Sequence, residues 1–128
     1  MSSMSGFQGS ALVGSYAASK AFNTNLAESL WAELRPHGVD VLACVAGATA
    51  TPGFESSTPT DKQGKAFPMR PEAVAREGLA ALGGGPVHIA GHMNRFVNTF
   101  SRLMTRRQRT VFFSRAIQGI YGTKEATP

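Results

Sequence analysis

The sequence reads Gly14-Ser15-Tyr16-Ala17-Ala18-Ser19-Lys20 near its start, and this run places a phenol four residues before an ammonium. On a helix that spacing puts both side chains on one face, about one turn apart. A nearby cation favours phenolate over phenol, which suits a tyrosine to acid–base catalysis. Since Tyr-x-x-x-Lys also arises by chance, the pattern alone is compatible with a solvated helix face. The small residues between the pair leave space for a flat ligand.

A hydroxyl from another segment can reach the same point. Ser3 lies thirteen residues before Tyr16, and the opening Ser-Ser-Met-Ser-Gly is typical of a strand end that delivers a side chain. Together, Ser3, Tyr16 and Lys20, followed by Ala21-Phe22-Asn23, resemble the short-chain dehydrogenase/reductase family. The resemblance implies that Tyr16 is the catalytic acid/base and that Ser3 polarises the substrate carbonyl. It also implies that Lys20 supports Tyr16 and hydrogen-bonds the nicotinamide ribose.

The resemblance continues past the next predicted strand. Residues 38–45 are mostly apolar and indicate a strand, and residues 46–53 read as the loop after it. The family usually has Pro-Gly in this loop, then a threonine four residues past the glycine. Gly47 and Thr51 fit, whereas Ala46 replaces the proline and restricts the backbone less. The resemblance implies that Gly47 and Thr51 join Tyr16 and Lys20 in binding NAD or NADP.

One part of the family pattern is missing from these 128 residues. Family members resemble a doubly wound sheet of roughly twice this length, opening with a glycine-rich turn that holds the cofactor pyrophosphate. No Gly-x-Gly-x-x-Gly occurs here, and Gly83-Gly84-Gly85 follows a predicted helix, as expected for a helix C-cap and turn. We therefore expect a fragment that lacks the N-terminal cofactor-binding half.

The predicted fold class is α/β: the C-terminal half of a doubly wound parallel-sheet (Rossmann-like) domain, with two or three parallel strands and flanking helices. We expect a catalytic half over 1–91, basic amphipathic helices packed on it over 92–121, and a flexible tail over 122–128. The first helix should span about 15–34, because Phe22, Leu26, Leu30 and Leu34 recur every four residues and are predicted to form its packed apolar stripe. Strands are predicted at 39–45 and 86–90, with a stub at the first three residues, and a further helix at about 70–82.

Residues 51–69 form a loop rich in Pro, Gly, Ser and Thr, just past the carboxyl end of a predicted strand. Such loops border the crevice where doubly wound sheets bind ligands. By resemblance, this loop is the mobile lid over the substrate. Its apolar members Phe54, Phe67 and Met69 either line an apolar substrate pocket or anchor the loop on the core.

Several residues predict no separate chemistry. Cys44 lies within an apolar strand and is interpreted as a small core residue, since one cysteine cannot form an internal disulfide. His88 and His92 straddle a predicted strand end, and we expect no carboxylate or further ligand to accompany them, so no metal is expected. Without a signal peptide or a long apolar run, the predicted location is cytoplasmic.

The positive charge is concentrated near the C-terminus. Between Gly78 and Lys124 there is no acidic residue but there are seven basic ones, in a chain of net charge +5. Two amphipathic helices, with a break near Thr110, are predicted to pack on the body or on a second subunit. They could also lie on an anionic membrane surface. Nucleic acid is not an expected partner, because no aromatic stacking platform accompanies the charge.

The function implied by the resemblance is NAD(P)-dependent interconversion of a secondary alcohol and a ketone by hydride transfer, on a small and mostly apolar substrate. The full-length enzyme is expected to be a homo-oligomer, since family members often pair through the helix bearing the tyrosine. We expect this chain alone to be severely impaired, because it carries no pyrophosphate site. The alternative is a non-catalytic remnant that acts as an interaction or membrane-surface module.

Overall fold

The computed structural model describes residues 1–122. Strands alternate with helices along the chain, with short 3₁₀ turns at Met4–Phe7, Arg35–His37 and Gly64–Ala66. The strands are β1 (Ser2–Ser3), β2 (Ala43–Ala46) and β3 (Val87–Ile89). The helices are α1 (Gly14–Leu34), α2 (Pro52–Ser57), α3 (Thr60–Gln63), α4 (Pro71–Ala81), α5 (His92–Ser101) and α6 (Arg106–Tyr121).

The strands form one parallel sheet in the order β1-β2-β3. Ser3 pairs with Ala46, and Ala43 pairs with Val87. This arrangement confirms the predicted α/β class. The strand predicted over 39–45 starts late, at Ala43, because β3 offers a partner only from Val87 onward. All four residues of β2 are buried, as expected for the middle strand of a covered parallel sheet.

Helix α1 packs on the sheet through a different face from the one predicted. Ala17 and Thr24 are its buried residues, and the Ser2 and Thr24 hydroxyl oxygens lie 2.7 Å apart. Phe22 is 64% exposed and Leu26 is 44% exposed, so the prediction that they belong to a packed stripe is wrong. Small and hydroxyl side chains face inward because they allow β1 to approach the helix closely.

The core lies between β2 and α4. Cys44, Ala46, Val74 and Ala90 form its buried apolar cluster, and Met69 packs against it. Burial raises the pKa of the Cys44 thiol. This location agrees with the interpretation of Cys44 as a small core residue.

The two C-terminal helices differ from the prediction in their boundary. The break lies between Ser101 and Arg106, and α6 runs straight through Thr110. Thr105 caps α6, since its side chain accepts from the Gln108 N–H in a capping box. The predicted break near Thr110 is therefore wrong. Of the predicted tail over 122–128, all but Gly122 lies outside the described residues.

Within residues 1–122, none of the helices combines the length and the apolar character that crossing a bilayer requires.

Candidate active site

A cavity of about 650 Å³ opens at the carboxyl ends of β1 and β2. Ser3, Tyr16, Gly47 and Thr51, all predicted as site residues, line it. Parallel strands end at the same edge of a sheet, so the segments that follow β1 and β2 face the same space. Lys20, the remaining predicted residue, is not part of the lining.

Ser3 is held at the end of β1 by a backbone cap. Its hydroxyl oxygen accepts a hydrogen bond from the Ser5 N–H at 3.3 Å and thereby caps the 3₁₀ turn Met4–Phe7. This bond uses an acceptor lone pair and leaves the hydroxyl proton available. Ser3 can therefore donate a hydrogen bond to an oxygen atom in the cavity.

Tyr16 and Lys20 lie on one face of α1, as the spacing predicts. The Lys20 Nζ atom is 5.5 Å from the centroid of the Tyr16 ring. The Ser2 hydroxyl donates to the Lys20 carbonyl at 2.8 Å, so the residue next to Ser3 is tied to the turn of α1 that carries the ammonium. This hydrogen bond holds β1 against α1. A phenol, a cation and a donor hydroxyl are thus brought together.

The loop after β2 also lines the cavity. The Thr51 hydroxyl accepts from the Phe54 N–H at 3.2 Å and caps α2. At Gly47, an added Cβ would lie 2.6 Å from Oδ1 of Asn94, whose amide donates to the Ala90 carbonyl at 2.7 Å. A side chain at 47 would therefore displace the Asn94 amide from this position.

The three apolar residues of the predicted lid separate in the structure. Phe54 lines the cavity, Phe67 is 83% exposed, and Met69 packs on the core. Backbone hydrogen bonds from Met69 to Ala48 and from Ala50 to Met69, both 2.9 Å, fix Met69 beside the loop after β2. Phe54 is therefore placed as a residue that lines a pocket, whereas Met69 is placed as a residue that anchors this segment on the core.

Helix α6 forms one wall of the cavity, a position that the sequence does not predict. Phe113, Ile117, Ile120 and Tyr121 face the cavity, at a spacing that follows one helix face. Gln8 and Ser10 add polar lining from the segment after β1. The apolar repeat in 111–120 is visible in the sequence, but the surface on which it packs is not.

Contacts distant in sequence hold α6 in place. The Ala11 N–H donates to the Ser114 hydroxyl at 2.9 Å, and the Arg109 guanidinium donates to the Phe7 carbonyl at 3.3 Å. At the other end of the helix, the Lys62 ammonium donates to the Gly122 carbonyl at 3.0 Å. These bonds join α6 both to residues 1–11, which we call the serine segment, and to the predicted lid over 51–69.

Away from the cavity, Glu77 forms a charged cluster that joins α4, β3 and α5. Its Oε2 atom accepts from the Gly91 N–H and from the Arg95 guanidinium, both at 3.0 Å, and lies 3.4 Å from His88 Nε2. The Gly91 hydrogen bond above all, followed by those from Arg95 and His88, lowers the pKa of Glu77 to about 2. The expectation that no carboxylate lies beside the two histidines is therefore wrong for His88. His92 contacts Arg95 instead, at 2.9 Å.

Glu77→Gln is expected to lower the free energy of unfolding at neutral pH by about 1 kcal/mol or somewhat more, because the hydrogen bonds to a charged acceptor are weakened. The side chain is 32% exposed, and solvent screening limits the effect. The folded pKa of about 2 lies below the reference value of 4.5, so the carboxylate stabilises the fold above pH 4.5. This contribution is lost as the pH falls toward 2, and the difference between wild type and variant should shrink there.

Urea denaturation at neutral pH and near pH 3 measures this effect. Glu28→Gln, at an exposed position of α1, is the matched control and should change stability little at either pH. Equal losses in the two variants, or a Glu77→Gln loss that does not vary with pH, would contradict the assignment.

Comparisons with known proteins agree with this geometry. The family described as short chain dehydrogenase matches residues 1–62. The 7beta-hydroxysteroid dehydrogenase of Clostridium sardiniense is 34% identical over 93 residues, which are 73% of this chain and 36% of that protein. A solved structure from a study of 7beta-hydroxysteroid dehydrogenase stereoselectivity superposes with a TM-score of 0.77 at 31% identity, covering 87% of this chain and 44% of that one. The chain thus spans less than half the length of these relatives.

The matched segment 1–62 contains β1, α1 and β2, and with them Ser3, Tyr16, Lys20 and the loop after β2. The family match therefore covers the parts of the cavity that come from β1, α1 and the loop after β2, whereas α6 lies outside the matched residues. The chain belongs to the short-chain dehydrogenase/reductase family.

Proposed function

We propose that the protein containing this chain is an NAD(P)-dependent oxidoreductase that interconverts a secondary alcohol and a ketone. The observation that carries the proposal is the cavity lined by Ser3 and Tyr16, with the Lys20 ammonium beside the tyrosine ring. A phenol that can exchange its proton, next to a hydroxyl that can donate to the same oxygen atom, suits proton transfer at a carbonyl or alcohol. Family membership favours this function over the non-catalytic alternative.

Each side chain has a distinct role in this proposal. Tyr16 gives its proton to the substrate oxygen in the reductive direction and takes it back in the oxidative direction. Lys20 favours the phenolate form of Tyr16 by its positive charge. Ser3 donates a hydrogen bond to the substrate oxygen and holds it near the phenol. The nicotinamide supplies hydride transfer when it is bound.

The described residues fit one end of the cofactor. Gly47, Thr49 and Thr51 line the same cavity as Tyr16, and the volume accommodates a nicotinamide ring together with a substrate. We propose that Gly47 and Thr51, with Tyr16 and Lys20, hold this end. A glycine-rich turn that could hold the pyrophosphate does not occur among residues 1–122.

The side chains that line the cavity indicate the class of substrate. Phe54 from α2 and Phe113, Ile117 and Ile120 from α6 make most of the cavity apolar, while Gln8 and Ser10 add polar groups. Such a lining suits a bulky, mostly apolar molecule that carries few hydroxyl or keto groups. With a hydroxysteroid dehydrogenase among the relatives, we propose a rigid secondary alcohol of about steroid size. Exposed Phe22 and Leu26 on α1 leave an apolar surface for the proposed homo-oligomer.

The proposed activity is tested with hydroxysteroids and smaller secondary alcohols, using NAD⁺ or NADP⁺ and the absorbance of the reduced nicotinamide. The assay uses the longest natural protein that contains these residues, with the 128-residue chain in parallel. We expect the protein to oxidise at least one hydroxysteroid, and to oxidise it faster than a small alcohol such as 2-propanol. A protein that binds the cofactor but oxidises none of these alcohols would contradict the proposal.

A further inference from the structure

Helix α5 turns its large apolar side chains outward. Met93 is 68% exposed, Phe96 is 67% exposed and Phe100 is 52% exposed. At about 100° per residue, these three fall within an arc of about 60°. Leu103, in the turn after the helix, is 84% exposed. We call these four residues the α5 patch.

The opposite face of α5, which packs on the protein, is polar. Asn98 is 6% exposed and Ser101 is 2% exposed, and Asn94 donates to the Ala90 carbonyl. The helix is thus inverted relative to an ordinary surface helix, whose apolar face covers the core. Phe96 and Phe100 stack on each other with ring centroids 6.4 Å apart, which makes the outer face a continuous apolar surface. Contiguous apolar surface of this kind marks an interaction site.

Positive charge adjoins the patch. Arg102 directly precedes Leu103, and Arg106 and Arg107 follow it at the start of α6, all three exposed. No acidic residue occurs between positions 78 and 124 to neutralise them. Long arginine side chains can bury their carbon stems in an apolar layer while their guanidinium groups reach its polar boundary. At an anionic lipid surface, apolar side chains can enter the acyl-chain layer while neighbouring arginines contact the anionic headgroups.

From this arrangement we propose that the α5 patch is a docking surface for an anionic lipid bilayer. Phe96, Phe100 and Leu103 enter the boundary between the acyl chains and the headgroups, and Arg102, Arg106 and Arg107 bind lipid phosphates. The inference is independent of the proposed reaction, since it uses none of the cavity residues.

Charge argues against a second copy of the chain as the occupant. A two-fold interface places the same surface on both partners, so it would bring together the arginines of both copies without an acidic residue from positions 78–124 to pair with them. Like charges facing each other across an interface oppose association. A lipid surface with anionic headgroups neutralises the same arginines.

The test is co-sedimentation of the purified 128-residue chain with vesicles of phosphatidylcholine alone or mixed with phosphatidylglycerol. Binding is expected only to the mixed vesicles and should fall as salt is raised, since salt screens the phosphate contacts. Phe96→Ser with Phe100→Ser should weaken binding at least about tenfold. Replacing Arg102, Arg106 and Arg107 by Gln should weaken it by about 100-fold, at about 1 kcal/mol or about fivefold per charge.

Matched controls remove the same groups elsewhere on the surface. Phe22→Ser with Phe67→Ser removes two exposed phenylalanines, and Gln at Arg35, Lys65 and Arg76 removes three exposed charges. Both controls should bind mixed vesicles within about threefold of wild type, and circular dichroism should show each variant folded. Equal binding to both kinds of vesicle, no binding to either, or equal weakening by patch and control variants would overturn the proposal. Dimerisation that the Phe96 and Phe100 substitutions abolish, without vesicle binding, would identify a second copy as the occupant instead.

Discussion

Tyr16→Phe is expected to lower turnover of the alcohol by about 10²- to 10⁴-fold, the range that a positioned acid or base contributes. The substitution removes the proton-transferring oxygen and keeps the ring, so the wall of the cavity and the contact with the Lys20 ammonium persist. Affinity for the nicotinamide cofactor should therefore change little. A loss in kcat with cofactor affinity preserved separates chemistry from binding.

Steady-state kinetics and nicotinamide fluorescence titration measure the two quantities. Tyr121→Phe is the matched control, since Tyr121 is the other tyrosine of the chain and also lines the cavity. Tyr121 comes from α6 and is not paired with Lys20, so its substitution should lower turnover by less than about tenfold. Comparable losses in the two variants, or full turnover in Tyr16→Phe, would show that Tyr16 is not the acid/base.

Gly6→Ala should have the largest effect on stability among the glycines near the cavity. A Cβ at position 6 would lie 2.8 Å from the Ala21 nitrogen and 2.8 Å from the Lys20 carbonyl carbon, both in the backbone of α1. A helix backbone cannot rotate aside as a side chain can, so the serine segment must move away from α1. Overpacking of this kind costs about 1 to 3 kcal/mol, occasionally more. Because the movement separates Ser3 from Tyr16, turnover should fall as well.

Denaturant unfolding of the two alanine variants of the same segment tests this expectation. Gly9→Ala is the control, because no atom lies within 4 Å of its added Cβ. It should leave the free energy of unfolding within about 0.5 kcal/mol of wild type. Equal stability of the Gly6 and Gly9 variants would mean that the serine segment does not pack against α1 as described.

Local patterns were sufficient to predict the α/β class and the position of α1. The spacing of Tyr16 and Lys20 sets their common helix face, and the burial of β2 follows from its apolar run. The strand ends were less predictable, since Ala43 begins β2 only where β3 provides a partner. Ser3, Gly47 and Thr51 were assigned by resemblance, and they line one cavity with Tyr16.

Other features depend on contacts that no local pattern encodes. The apolar repeat in α6 indicates a helix with one apolar face, but its position against the cavity depends on bonds such as Ala11 to Ser114, 103 residues apart. In α5 the same kind of repeat faces outward, whereas Asn98 and Ser101 face inward and the buried Ser101 hydroxyl donates a hydrogen bond to the Asn98 carbonyl. Glu77 reaches Gly91 and Arg95 only after α4 has packed beside β3.

The sequence by itself determined the helix that presents a phenol and an ammonium together, because a spacing of four residues is a property of the helix alone. The tertiary structure alone decided which apolar faces are buried, which of them line the cavity and which face solvent. The apolar periodicity defines one face of a helix. Whether that face points to the core, to the cavity or to solvent depends on the space that neighbouring elements leave. That space is shaped by residues far away along the chain.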